Sequence, residues 1–248
     1  MSGHSKWSTI KRKKAVVDAA RGKVFTRIAK ELTIAARVGG GDESANPRLR
    51  TAVATAKAAN MPSVNVERAV KKGTGELEGV TIEEIVYEGY APGGVALMME
   101  VATDNRNRTV SELRHLLSKN GGNLATSGAV AWMFDTKGVI QVPAEGNDED
   151  ELMMTILEAG AEDLSNEGDY FEVTTAPADL NTVNEAVVEA GYEVEMAQLQ
   201  HIPNNFTEVS AEDIPNVVKL MEILDDYEDM QKLSASVDFT DEMLEGLE

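Results

Sequence analysis

Glu158-Ala159-Gly160-Ala161-Glu162 and Glu189-Ala190-Gly191-Tyr192-Glu193 repeat one local pattern. In each, a helical run of apolar residues ends on glycine and an alternating run follows. Glycine there accepts the left-handed turn that stops a helix. Around this pair, Gly138 to Val142 reads as a strand and Asp150 to Ala159 as a helix. Two short strands flank Ser165-Asn166-Glu167-Gly168. Asp179 to Ala190 reads as a second helix, and Tyr192 to Leu199 as a strand with Tyr192, Val194 and Met196 alternating. The order β-α-β-β-α-β is ferredoxin-like, and the echo marks its two β-α-β halves.

Working outward, Ile85 to Tyr90 and Val95 to Thr103 read as strands joined through Ala91-Pro92-Gly93-Gly94. Thr109-Val110-Ser111-Glu112 has capping-box spacing and is expected to open a helix burying Val110, Leu113 and Leu117. Ala129 to Asp135 reads as a third strand. Beyond Pro203, Ala211 to Asp226 reads as a helix and Met230 to Phe239 as a strand. The upstream strands lack a second covering helix, which this last pair supplies. The ferredoxin-like unit is therefore expected as an insertion in a domain built from both flanks.

Towards the N-terminus the pattern is helical. Phe25, Ile28 and Leu32 share a face that Ala35 and Ala36 continue. Gly39-Gly40-Gly41 stops this helix, and Asn46-Pro47 reads as an N-cap and first helical position of the next. Met61-Pro62-Ser63 starts a third helix, which closes at Gly73, and a linker reaches Gly79. The expected fold class is α+β: an N-terminal helical bundle followed by two α+β sandwich domains, the third inserted into the second. The boundaries expected are 1–79, 80–136 plus 204–248, and 137–203.

Charge divides along the same line. Residues 1–75 hold sixteen Lys and Arg against five Asp and Glu, a net of +11. The rest holds seven against 38, a net of −31, giving −20 for the 248 residues. A basic module on an acidic body points to a polyanion partner. Cysteine is absent, which excludes disulfides, thiolate metal sites and a cysteine nucleophile. No run reaches membrane-span length, and no apolar signal core stands at the start. A basic, acid-free start is also a transit-peptide trait, but here it runs directly into patterned sequence. A cytoplasmic location is expected.

The histidines His4, His115 and His201 fall in separate segments without metal-ligand spacing. No phosphate-binding loop of the Gly-Lys-Ser type occurs. No nucleophile and base stand together, so the chain reads as non-enzymatic, with no cofactor, metal or small-molecule substrate. Asp225-Asp226 with Glu228-Asp229 reads as a solvated acidic face, or else a cation site. The strongest signal is the arm, where Lys6, Lys11, Arg12, Lys13 and Lys14 surround the stacking side chain Trp7. With Arg21, Lys23 and Arg27 these form the expected nucleic-acid-binding set, for DNA or ribosomal RNA. Asn105, Arg106, Asn107 and Arg108 form a second candidate anion site, at a helix N-terminus.

Four motifs carry a resemblance. They are Gly3-His4-Ser5-Lys6-Trp7, Gly39-Gly40-Gly41-Asp42 leading to Asn46-Pro47-Arg48-Leu49-Arg50, Tyr87-Glu88-Gly89-Tyr90-Ala91-Pro92-Gly93-Gly94, and Asp104-Asn105-Arg106-Asn107-Arg108-Thr109. In this order they resemble the YebC family, whose eukaryotic relatives include the mitochondrial translational activator of cytochrome oxidase. Ser63-Val64-Asn65-Val66 is less charged than that pattern. The resemblance implies three domains and a cytosolic bacterial protein without known catalysis. It implies a DNA-binding transcriptional regulator or, alternatively, a ribosome-associated factor that relieves stalling at proline-rich stretches.

Overall fold

The computed structural model describes residues 19–239, with side chains from residue 22. Its contacts divide the chain into two compact units. One holds the described residues up to Ala131 together with Glu208–Leu233; the other holds Trp132–Thr207 and the described residues from Ser234 to Phe239.

The first unit opens with three helices, α1 (Ala19–Gly39), α2 (Pro47–Ala58) and α3 (Ser63–Gly73). Ile28, Leu32, Ala35 and Ala36 of α1 pack on Leu49, Ala52, Val53 and Ala56 of α2 and Ala69 of α3. Asn46 ties the first two together. Its Oδ1 accepts from Leu49 N at 3.0 Å, and its Nδ2 donates to the carbonyls of Ala35 and Gly40, each at 2.8 Å. A side chain on Gly39 would meet Asn46 at 2.6 Å, and Gly40 sits at φ +84°. The glycine run therefore both ends α1 and leaves room for the cap that starts α2.

The same unit carries a sheet of order β3-β1-β2-β8. Its strands are β1 (Glu83–Tyr90), β2 (Ala96–Thr103), β3 (Asn123–Leu124) and β8 (Met230–Ala235). β1 and β2 are antiparallel, with Tyr87 opposite Met99. Helices α4 (Arg106–Lys119) and α7 (Ile214–Asp225) pack beside each other. They bury Leu113, Leu117, Val217, Leu220, Met221 and Leu224.

The second unit has the strands β4 (Phe134–Pro143), β5 (Asp163–Asn166), β6 (Tyr170–Thr175) and β7 (Met196–Pro203). Their sheet order is β5-β6-β4-β7, antiparallel throughout. Helices α5 (Glu149–Ala159) and α6 (Leu180–Glu189) bury Leu152, Ile156, Val183 and Val187 against Ile140, Val142, Phe171 and Val173. This is the ferredoxin-like arrangement. The two echoed glycines, Gly160 and Gly191, adopt φ +96° and +94°.

Three sequence expectations shift. Ala129 to Asp135 is not a strand of the first sheet: Ala131–Met133 is a 3-10 turn, and Phe134 and Asp135 already belong to β4. The third strand of that sheet is the two-residue β3, too short for an alternation signal. β7 begins at Met196 rather than Tyr192. Tyr192 and Val194 do pack on the core, so the alternation reported burial four residues before the ladder begins. Finally, α4 starts at Arg106, with Asn105 as its cap accepting from Arg108 N at 3.1 Å. Thr109 lies within the helix. The asparagine has the same three-residue reach as the threonine and comes first.

Candidate nucleic-acid interface

Lys23, Arg27 and Lys30 stand at i, i+4 and i+7 on α1, so they share one face. That face meets the acidic end of α7. Lys23 Nζ lies 3.2 Å from Asp226 Oδ2. Arg27 Nη2 donates to the Asp225 carbonyl at 2.5 Å, and its Nη1 lies 3.6 Å from Asp225 Oδ1. Lys30 Nζ donates to Asp229 Oδ1 at 2.6 Å and to the Glu228 carbonyl at 3.2 Å. Cations at a helix C-terminus also offset its partial negative charge.

Asp229 is the centre of this junction, with a side chain only 4% exposed. Besides Lys30, its Oδ2 accepts from Thr109 Oγ1 at 2.7 Å, Arg108 Nη2 at 3.0 Å and the Tyr227 hydroxyl at 3.1 Å. Burial would raise the Asp229 carboxyl, but the bonds from Lys30, Thr109 and Arg108 prevail and hold it well below the usual carboxylate range. Arg108 is pushed up in turn, first by Asp229 and then by Asp104. The Tyr227 phenol is pushed up by burial and by its 2.7 Å bond to Glu112. The acidic run is therefore a solvated face only in part: Asp226 and Glu228 are exposed, while Asp225 and Asp229 are drawn into the junction. It docks α1 and α4, and no group of acids and histidines fit to hold a metal occurs among the described residues.

The structure thus separates the residues singled out in the sequence. Lys6, Trp7, Lys11, Arg12, Lys13 and Lys14 lie outside the described residues, and Arg21 lies on α1 with its side chain outside them. Lys23 and Arg27 face the protein's own acids. In the second candidate site Asn105 is spent as a cap and Arg108 on Asp104 and Asp229, leaving Arg106 and Asn107 exposed.

Sequence reasoning passed over a different set. Arg68, Lys71 and Lys72 on α3 are exposed, and no ion pair holds them among the described residues. Arg68 and Lys72, with Asn65, line a groove of about 350 Å³ between α1 and α3, floored by Phe25, Ala29 and Met61. The i, i+3, i+7 spacing of Asn65, Arg68 and Lys72 was the available signal. By contrast Arg48 is committed, its guanidinium bridging Glu31 at 2.7 Å and Glu84 at 2.6 Å.

Another carboxylate supports the fold of the first unit. Glu88 on β1, buried, accepts from the backbone N–H groups of Gly128 at 2.5 Å, Val130 at 2.7 Å and Ala131 at 3.0 Å. Burial would raise this carboxyl, and the backbone bonds lower it. Glu88 stands inside the Tyr87 to Gly94 motif, whose role here is to pin the segment following β3.

Known proteins resemble this chain along its whole length. A family model described as the TACO1/YebC protein N-terminal domain matches residues 5–76, and one described as the TACO1/YebC second and third domain matches residues 82–237. A probable transcriptional regulatory protein of Desulforapulum autotrophicum is 56% identical over 247 residues, covering 100% of both chains. One of the same description from Chlorobium luteolum is 51% identical over 249 residues, again covering 100% of both. The crystal structure of a conserved hypothetical protein from Aquifex aeolicus superposes with a TM-score of 0.87 at 46% identity, over 93% of this chain and 96% of that one. By sequence and by fold, this chain belongs to the TACO1/YebC family.

Proposed function

We propose that the chain is a non-catalytic regulatory protein that grips the phosphate backbone of nucleic acid through its N-terminal helical part, acting in the cytoplasm as a DNA-binding transcriptional regulator. In this reading the helical domain spans 1–79, the discontinuous α+β domain 80–136 plus 204–248, and the inserted domain 137–203. One observation carries it: two unpaired cations of α3, Arg68 and Lys72, border an apolar groove, with Lys71 exposed on the same helix, in a chain of net charge −20. The charge pattern steers a polyanion towards this end first. The relatives' description as transcriptional regulators supports the same class. The groove and the arm of residues 6–14 together form the proposed interface.

A second reading is a ribosome-associated translation factor that relieves stalling at proline-rich stretches. It is favoured by unpaired cations on more than one helix of the first unit, since a folded RNA has surface to meet several.

The test is a salt series with labelled DNA duplex, run beside cosedimentation with ribosomes. Arg68→Ala/Lys71→Ala/Lys72→Ala is expected to flatten the salt dependence by about 0.9 per lost phosphate contact. An unaltered slope removes the groove from the interface. Ribosome binding that persists at physiological salt, while DNA binding vanishes, overturns the transcriptional reading in favour of the second.

A further inference from the structure

Only seven basic side chains follow residue 75, against 38 acidic ones. Three are spent on carboxylates: Lys137 on Glu162 at 2.8 Å, Lys232 on Glu100 at 3.7 Å, and Arg108 on Asp104 and Asp229. The remaining four are Arg106, Arg114, Lys119 and Lys219. All are exposed, and none has a hydrogen bond or ion pair among the described residues. Three of them lie on α4, and Lys219 lies on α7, which packs beside it.

Chance placement on so acidic a surface would leave these cations paired with neighbouring acids. Instead the solvent face of α4 is free of carboxylates. Leu113 and Leu117 fix its buried side, so Ser111, Arg114, His115, Ser118 and Lys119 form the opposite arc. The one acid on the helix, Glu112, lies at the edge of that arc and is engaged by Tyr227. At the C-terminal end of α4, Lys119 and Lys219 line the same cleft of about 540 Å³, with Asn120, Asn216 and Gly93. Its carboxylate, Asp213, accepts the Ser210 hydroxyl at 2.8 Å.

We propose that the outer face of α4 and the Lys119–Lys219 cleft form a second nucleic-acid contact, for the sugar-phosphate backbone of an RNA duplex. This rests on the nucleic-acid reading above but uses a different helix. The face offers cations and short hydroxyls along roughly 12 Å of helix. His115 is the one ring on this face, with no Phe, Tyr or Trp beside it to make a run of stacking platforms for unpaired bases, which favours a duplex over a single strand. Ser118 lies between Arg114 and Lys119, and Ser111, whose hydroxyl donates to the Asn107 carbonyl at 2.8 Å, keeps its oxygen as an acceptor; both suit the 2′-OH groups that line the shallow groove of A-form RNA. DNA lacks those groups.

The experiment compares binding of an RNA duplex of about 20 base pairs, and of DNA of the same sequence, by three full-length proteins. These are the unaltered chain, Arg114→Ala/Lys119→Ala/Lys219→Ala, and the arm variant Lys11→Ala/Arg12→Ala/Lys13→Ala/Lys14→Ala. The α4–α7 variant is expected to bind RNA about tenfold or more weakly, and its log–log salt slope to fall by about two to three. All three positions are exposed, so thermal unfolding is expected to be unchanged and serves as the folding check. Binding of neither duplex by the unaltered chain overturns the nucleic-acid reading and this contact with it. Full RNA affinity and slope in the α4–α7 variant, with the arm variant weakened, overturns this contact alone. Tighter binding of the DNA duplex than the RNA duplex overturns the RNA assignment.

Discussion

At Asp229 a single carboxylate collects Lys30, Arg108, Thr109 and Tyr227. Removing it leaves Lys30, whose side chain is 15% exposed, without its anion. Asp229→Ala is therefore expected to cost about 3–5 kcal/mol in urea unfolding. The pH dependence has a definite sign. The folded carboxyl titrates below its unfolded value, so its stabilisation is complete above about pH 4 and is lost as pH falls towards the depressed folded value. The stability gap between Asp229→Ala and the unaltered chain should thus be constant near neutrality and shrink below that pH. A gap independent of pH down to the acid transition contradicts the assignment. Glu88 makes a parallel case with backbone donors. Glu88→Ala strands three buried or half-buried N–H groups, and faster amide exchange at Gly128, Val130 and Ala131 is the expected readout.

Among the elements, helix ends separate what the sequence displays from what it conceals. Asn46 and the echoed glycines act within a few residues of their partners, and these boundaries are readable from local spacing, whereas the cap Asp148 stands two residues before the Asp150 read as the helix start. Thr109 was misread because its buried hydroxyl serves Asp229, 120 residues away, and no local pattern encodes that pairing. Lys23 and Arg27 show the same limitation. Their helical spacing was visible, but their acidic partners were about 200 residues distant. The groove residue Arg68 lay within a plain helical pattern and gave no sign of being unpaired. Close approach between helices yields its own prediction. A side chain on Gly73 would press into the Thr33 carbonyl oxygen and the Ala36 side chain. Gly73→Ala is expected to destabilise by about 1–3 kcal/mol, seen as a lowered Tm, because α3 must move off α1.

Across the whole molecule, the charge partition read from the sequence survives, but its use is redistributed. Part of the positive charge of the helical segment holds the first unit together through α7. Arg27→Ala is accordingly expected to lower stability by about 1 kcal/mol, while DNA affinity changes less than in the Arg68, Lys71 and Lys72 variant. A loss of affinity equal to that variant's, at unchanged stability, would instead make Arg27 part of the interface. The ferredoxin-like unit was the most legible part of the chain, since its core is built from sequence-adjacent β-α-β halves. The first sheet was harder, because its last strand arrives only after the whole ferredoxin-like segment.

The junction of α1 with the end of α7 also has a consequence in time. Lys23 and Asp226 are separated by 203 residues of chain. At synthesis rates of roughly 5–20 residues per second, the N-terminal helix emerges about 10–40 s before its acidic partners exist. Throughout that interval the nascent chain displays Lys23, Arg27 and Lys30 uncovered, beside the most concentrated polyanion it will ever meet. Completion of the chain is what neutralises this ridge, so a polypeptide truncated before Asp225 should cling to ribosomes more tightly than the finished protein does.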